Sequence, residues 1–284
     1  MWDVLLDAVL DCLKLVPFLF LAYLLIEYLE HKSNGKLEKW LAGSGRLGTV
    51  IGALLGCVPQ CGFSVAAANL YAERVISMGT VVAVFLATSD EAIPVLLANP
   101  GHAGDILMLI AAKLVIAVLF GLLIDFVFSR RRAELHGEAV HTETEHLCEH
   151  CGCGQKGIIL PAIKHTGSIL LFIFLITLAL NAVIYFIGEE NLGSVLLQNS
   201  LLQPLLAGVI GLIPNCASSV LITELYIAGS ISFGSAIAGL CSGAGLGLVV
   251  LFRMNRSKKE NFVILGWVFA IACVSGVVLQ LLGM

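Results

Sequence analysis

The sequence predicts an all-α polytopic membrane protein built from two inverted-topology repeats. Three observations carry this: a mean hydropathy of +0.97, eight separated apolar stretches, and a motif that recurs at an offset of 155 residues. Hydrophobic residues make up 58% of the 284 positions and charged residues 13%. Soluble domains run at about 45–50% apolar and about 25% charged, so composition alone excludes that class. Nine cysteines in apolar segments or in a basic-flanked loop point to free thiols or metal ligands rather than disulfides.

The apolar stretches are residues 10–28, 49–70, 77–97, 105–128, 165–187, 203–227, 231–252 and 262–282. Each approaches or exceeds the roughly 20 residues that cross a hydrocarbon core as helix. Residues 10–28 are expected to be a first transmembrane helix rather than a cleaved signal. No basic region precedes them, and they run into Glu30, His31 and Lys32 without a small-residue cleavage site. The chain therefore divides into a first repeat (1–128), a cytoplasmic His/Cys-rich loop (129–164) and a second repeat (165–284). Nothing suggests a soluble catalytic domain, because the longest linker lacks apolar periodicity.

The repeat is visible when Gly56 is laid over Gly211. GCVPQC at 56–61 then faces GLIPNC at 211–216, and the match continues through Ser64/Ser219, Leu70/Leu225, Tyr71/Tyr226, Ser77/Ser232, Gly79/Gly234 and Ala83/Ala238. Apolar bias alone does not generate shared Pro, Cys, Ser and Gly positions, which marks two copies of one unit. Charge orients them. The basic residues concentrate in 31–48, 129–164 and 253–260, while 99–104 and 188–202 hold none, so the first three linkers belong inside. Each two-segment block must then make an odd number of net crossings. This predicts a first segment that dips in and returns at Pro59 or Pro214, where proline interrupts the helix. The fold is expected to contain a Pro-broken re-entrant or discontinuous helix pair in each half; eight full spans is the alternative.

Irregular backbone at membrane depth is tolerated around a protein-lined or watery cavity, and such broken segments are where transporters place their ion sites. Cys57, Cys61 and Cys216 offer soft thiolates there, Gln60 and Asn215 offer amide oxygens, and Ser64 and Ser219 offer hydroxyls. Cysteine is also a small apolar filler, the reading preferred for Cys12 and Cys273. TSDEAIP at 88–94 puts Asp90 and Glu91 in or at the edge of the third apolar segment. Each acid there costs about 2.5–3.5 kcal/mol on insertion scales, so both should face a cavity or a partner. Lys113, near the middle of 105–128, is the natural ion-pair partner for either acid. The loop residues His136, His141, His146, Cys148, His150, Cys151 and Cys153 lie among glutamates and form a compositional metal signal for zinc or a similar ion, without the second Cys pair of a finger.

These motifs resemble the ten-transmembrane heavy-metal exporter family, whose members are labelled arsenic efflux proteins or manganese transporters. The residues that carry the likeness are GCVPQCGFS at 56–64, TSDEAIP at 88–94 and GLIPNCASS at 211–219, within a similarity spanning nearly the whole chain. The resemblance implies a secondary exporter of a metal or metalloid ion such as manganese or arsenite. With no ATP-binding motif in the chain, coupling to protons or another ion is expected. The expected residues are Cys57, Gln60, Cys61, Ser64, Asn215, Cys216, Ser219, Asp90 and Glu91 for the substrate, with Asp90, Glu91 and Lys113 for coupling. No cofactor is expected beyond a loop-bound metal. Membrane lipid and the transported ion are the expected partners, nucleic acid is not, a homodimer is an open option, and the location is the cytoplasmic membrane. The rival classes are a membrane enzyme acting on a metal or lipid substrate and a passive channel.

Overall fold

The computed structural model describes residues 45–58, 62–88, 92–98, 101, 103–135 and 202–283, plus isolated helical positions at 16, 20, 167, 171, 174, 175 and 178. Pro59, Gln60, Cys61, Asp90, Glu91 and the His/Cys loop from His136 to Cys153 lie outside the described residues. All regular structure among those described is helical, as the composition demands. The first half holds α1 (Gly45–Gly56), α2 (Gly62–Ala72), α3 (Met78–Ala87), α4 (Ala92–Ala98) and α5 (Ala103–Leu135). The second holds α6 (Gln203–Gly211), α7 (Cys216–Ile227), α8 (Phe233–Ser242), α9 (Leu246–Met254) and α10 (Lys258–Leu281). The 155-residue offset lays α3 on α8 end to end and starts α5 and α10 together, and it misaligns the other starts by at most three residues (Gly45 falls at 200, against Gln203).

Local chemistry repeats with it. Ser77 and Ser232 cap α3 and α8 by accepting the N–H groups of Thr80 and Ser235, each at 3.1 Å. The turns before them close alike, with Val75 N–H on the carbonyl of Leu70 at 2.8 Å and Ser230 N–H on Leu225 at 2.9 Å. Both pass through a left-handed residue, Gly229 at φ 70° in one and Arg74 at φ 59° in the other. The breaks that end α6 and α8 are also satisfied locally. Pro214 carries no N–H, and Ser218 Oγ closes the turn by donating to the carbonyls of Ile213 (3.1 Å) and Asn215 (2.7 Å). Ser242 Oγ donates to Gly208 O (2.7 Å) and Gly239 O (2.9 Å), and the chain turns into α9 at Gly245, φ 53°.

Contacts fix the directions of the helices. Along α1 and α3, Thr49 meets Thr80, Gly52 meets Thr80 and Val84, and Gly56 meets Val84 and Ala87, so the two run parallel. The chain must therefore return between them, and α2 is that return. Against α5, Gly79 meets Gly121 and Asp125 while Thr88 meets Lys113, an antiparallel pair. The second half follows suit: Gln203 Oε1 accepts from Ser232 N–H (3.1 Å) and Ser235 Oγ (2.8 Å), Gly211 abuts Gly239, and Gly234 abuts Gly276 and Gln280. Met78–Ala98, which takes in α3 and α4, is 21 residues of apolar chain, long enough to cross a bilayer core.

The halves interlock crosswise. The return helix α2 packs on α9, and α7 packs on α4. Exchanging α1–α5 for α6–α10 carries the pattern of helix contacts onto itself. α8 is buried along its whole length and α3 along all but its first residue, which makes them the centre. Their neighbours present Val115, Leu119, Phe126, Phe262, Val274, Val278 and Leu281 outward, large apolar side chains on faces suited to lipid. Four helical spans among the described residues are long and apolar enough to cross a membrane, and the protein is an integral membrane protein.

The carboxylate of Asp125 sits inside this frame on α5. Asp125 accepts Thr49 Oγ1 at 2.5 Å and Ser77 Oγ at 3.0 Å on one oxygen, and Gly79 N–H at 3.0 Å on the other. It ties α1, the start of α3 and α5 together, with its negative charge at the positive end of α3.

Candidate functional site

The ends of the broken helices meet where α3 and α8 stop. Lys113 has no exposed surface, and its Nζ donates to Thr88 O at the end of α3 and to Leu240 O near the end of α8, the latter at 2.8 Å. One carbonyl comes from each half, and each belongs to a helix terminus carrying partial negative charge. Placing a lysine at membrane depth costs about 2.5–3.5 kcal/mol on insertion scales. Two hydrogen bonds from a charged donor contribute about 1.5–3 kcal/mol each, enough to offset much of that cost. Snorkelling to the interface is not what this lysine does.

The thiols of Cys57, half-buried just after α1, and of Cys241, fully buried on α8, are both close enough to feel the Lys113 charge. Gly56, beside Cys57, lies against Val84 and Ala87 next to Thr88, and Cys241 follows Leu240, so both thiols belong to this junction. Carbonyl oxygens, two thiols and an ammonium thus converge where the two halves touch. Such groups can hold a cation, hard or soft, only by competing with the lysine.

The remaining expected residues are placed as follows. Ser64 is fully buried on α2 and faces Gly247 of α9. Asn215, 7% exposed, caps α7 by accepting Ala217 N–H at 3.3 Å. Cys216 opens α7 half-buried, and its carbonyl accepts Ser219 Oγ at 2.8 Å, so that hydroxyl serves its own helix. The structure therefore brings Cys57 and Lys113 together and sets Asn215, Cys216 and Ser219 on the second break. A groove of about 500 Å³ beside that break is lined by Leu212, Pro214, Leu248, Val249, Phe252, Leu265 and Arg253. Its mainly apolar wall suits a lipid chain better than an ion.

Cys241 is visible in the sequence as a thiol in the second-half counterpart of TSDEAIP, but its nearness to Lys113 is not. Two further features escape the sequence reading. Asp125, three residues from the end of an apolar stretch, looks interfacial. Tyr71 donates to Glu260 (3.2 Å), which also pairs with Arg74 (2.8 Å), and Tyr226 hydrogen-bonds Asp105. Both tyrosines and both acids stand 155 residues apart, so carrying the repeat beyond Ala83/Ala238 would have exposed this last pair of contacts.

No curated protein and no solved structure matches this chain. The family model described as "Putative, 10TM heavy-metal exporter" matches residues 1–164 and 167–284. With its apolar helical spans, a buried ammonium between two broken helices and a family match over nearly its whole length, this chain belongs to the ten-transmembrane heavy-metal exporter family.

Proposed function

We propose that the protein is a secondary transporter in the cytoplasmic membrane that exports a metal or metalloid ion such as manganese or arsenite, coupled to protons or another ion. The observation that carries this reading is the junction itself, where carbonyls from both halves converge on one charge at a break in the helices. On this reading Cys57, Cys61, Cys216, Gln60 and Asn215 offer ligands, Asp90 and Glu91 exchange protons for the ion, and the halves move against each other to alternate access.

The two halves are read as inverted repeats, with α1–α2 and α6–α7 as re-entrant hairpins. What supports this is direction. Arg74, at the end of α2, meets Glu260, at the start of α10, so the return arm of one half ends where the last helix of the other begins. That side gathers Arg74, Arg253, Arg256, Lys258, Lys259 and the end of α5 that leads to Arg130–Arg132, as a cytoplasmic face should. Counting each hairpin arm, the α3–α4 and α8–α9 spans, α5, α10 and the apolar stretches 10–28 and 165–187 gives the ten segments of the family description.

The test is metal flux in proteoliposomes under an imposed pH gradient, with wild type beside Cys61→Ser, Cys216→Ser and Asp90→Asn. Loss of coupled flux in Asp90→Asn is expected. Loss in the serine variants is expected for a thiophilic ion and tolerance for manganese. Full activity in all three variants would place the site elsewhere. Reporter fusions after Met284 and inside 129–164 should report opposite faces; a shared face would exclude the inverted arrangement.

A further inference from the structure

We propose that the junction of α3 and α8 is a monovalent-cation site whose occupant in the substrate-free protein is the Lys113 ammonium. The backbone around it is arranged as for a free ion. Thr88 O closes one half-helix and Leu240 O lies near the end of another, the two come from different halves of the chain, and both are directed at one buried positive charge. Thr88 turns its hydroxyl away from the junction, onto Val84 O at 2.8 Å, and so leaves its carbonyl to the ammonium. Tethering the cation to α5 removes the need for a dissolved one, because the ammonium is present at fixed stoichiometry and its place is not lost when outside salt falls. On the transport reading above, the tethered charge holds the ends of the two halves together while no substrate is bound. A substrate cation arriving at the same carbonyls must move it, since two positive charges about 4 Å apart repel strongly at membrane depth.

Removing the side chain should uncover the site. In Lys113→Ala the two carbonyls keep their places and lose their cation, leaving space matched to ammonium, methylammonium, Na⁺ or K⁺. Lys113→Gln keeps most of the bulk and a neutral amide NH2 with two N–H donors, but no charge. Purified wild type and both variants in nanodiscs are compared by melting temperature across 0–200 mM of each chloride salt, about the range that saturates a millimolar site, with choline chloride as the ionic-strength control. Lys113→Ala is expected to rise by about 5 °C or more with ammonium or methylammonium, which corresponds to binding near a hundredfold over its dissociation constant, and wild type should not move. Lys113→Gln should show the same dependence to a smaller degree, and Lys113→Arg should be as salt-indifferent as wild type.

No cation-specific shift in either neutral variant, or an equal shift in wild type, overturns the proposal. Should neither neutral variant fold, wild type decides: if its stability requires Na⁺ or K⁺ over choline, the lysine does not stand in for a dissolved ion. Because melting is read without any transported metal, failure here is distinguishable from failure of the export reading, which is decided by flux.

Discussion

Asp125 makes the sharpest quantitative test, because a carboxylate on a membrane-spanning helix is by default suspected of carrying ions. The structure gives it a different task, and Asp125→Asn separates the two. The asparagine oxygen must stay toward the Gly79 N–H, which cannot turn away, so its amide group faces Thr49 and Ser77. Those hydroxyls can rotate to accept, and all three hydrogen bonds survive without charge assistance. Charged and neutral bonds differ by about 1 kcal/mol each, so the substitution should cost about 2–4 kcal/mol. Asp125→Ala strands the Gly79 N–H and empties the space, for about 4–6 kcal/mol. At about 2–4 °C per kcal/mol for a chain of this size, asparagine should lower the melting temperature by about 5–15 °C and alanine by clearly more. The assay is thermal unfolding in nanodiscs alongside flux per folded molecule well below the melting point. Asparagine should leave that flux near wild type. An unchanged melting temperature with abolished flux would refute the reasoning and put Asp125 on the ion's route.

Other outcomes follow from the same coordinates. Gly276→Ala would set a methyl 2.5 Å from Gly234 O and 2.6 Å from Ala238 Cβ, so α8 and α10 must part; a loss of about 1–3 kcal/mol in thermal unfolding is expected. Gly266→Ala, with nothing within 4 Å, should be neutral or stabilising by up to about 1 kcal/mol in the same measurement. Arg74→Gly should be about neutral, because it relieves a left-handed residue worth about 1–2 kcal/mol and forfeits a half-exposed ion pair worth under about 1 kcal/mol and a contact over the Tyr71 ring worth about 0.5–1 kcal/mol. Arg74→Ala keeps the strain, loses the pair and should melt lower than Arg74→Gly. Residues 136–154 carry the metal-type side chains but lie outside the repeat, so their deletion should spare flux at saturating metal and weaken it at low metal.

Much of the architecture was legible because it rests on local chemistry. Pro214 announces the break between α6 and α7, Ser77 and Ser232 announce the starts of α3 and α8, and a shared set of Pro, Cys, Ser and Gly positions announces the repeat. The segment read as 203–227 divides at the turn Pro214 marks, and the segment read as 49–70 divides between Gly56 and Gly62. Partnership between helices is another matter. Hydropathy tells that α2 and α9 are both apolar and nothing about their lying together, because in lipid the contact is set by shape, as where Gly247 admits Ser64 and Phe85. Lys113 stood out in the sequence as a charge needing company, but carbonyl oxygens have no letter in a sequence, so Thr88 and Leu240 could not be named. Cys241 shows in the sequence as a thiol in the second half, but nothing there sets it beside Lys113.

The crosswise packing of α2 on α9 and α7 on α4 also constrains how the protein can be born. While the first half is emerging from the ribosome, its return arm and α4 already exist, yet the surfaces they will cover are more than a hundred residues from being made. The early half must wait in the bilayer with its interior unclosed, shielded by lipid, other helices or an insertase. The last helices then act as a key that completes both halves in one step. Two separately translated halves should therefore each be short-lived alone and rescue one another when made together. A defect that slows insertion of α8 to α10 should show itself first as degradation of a chain whose early helices are unaltered.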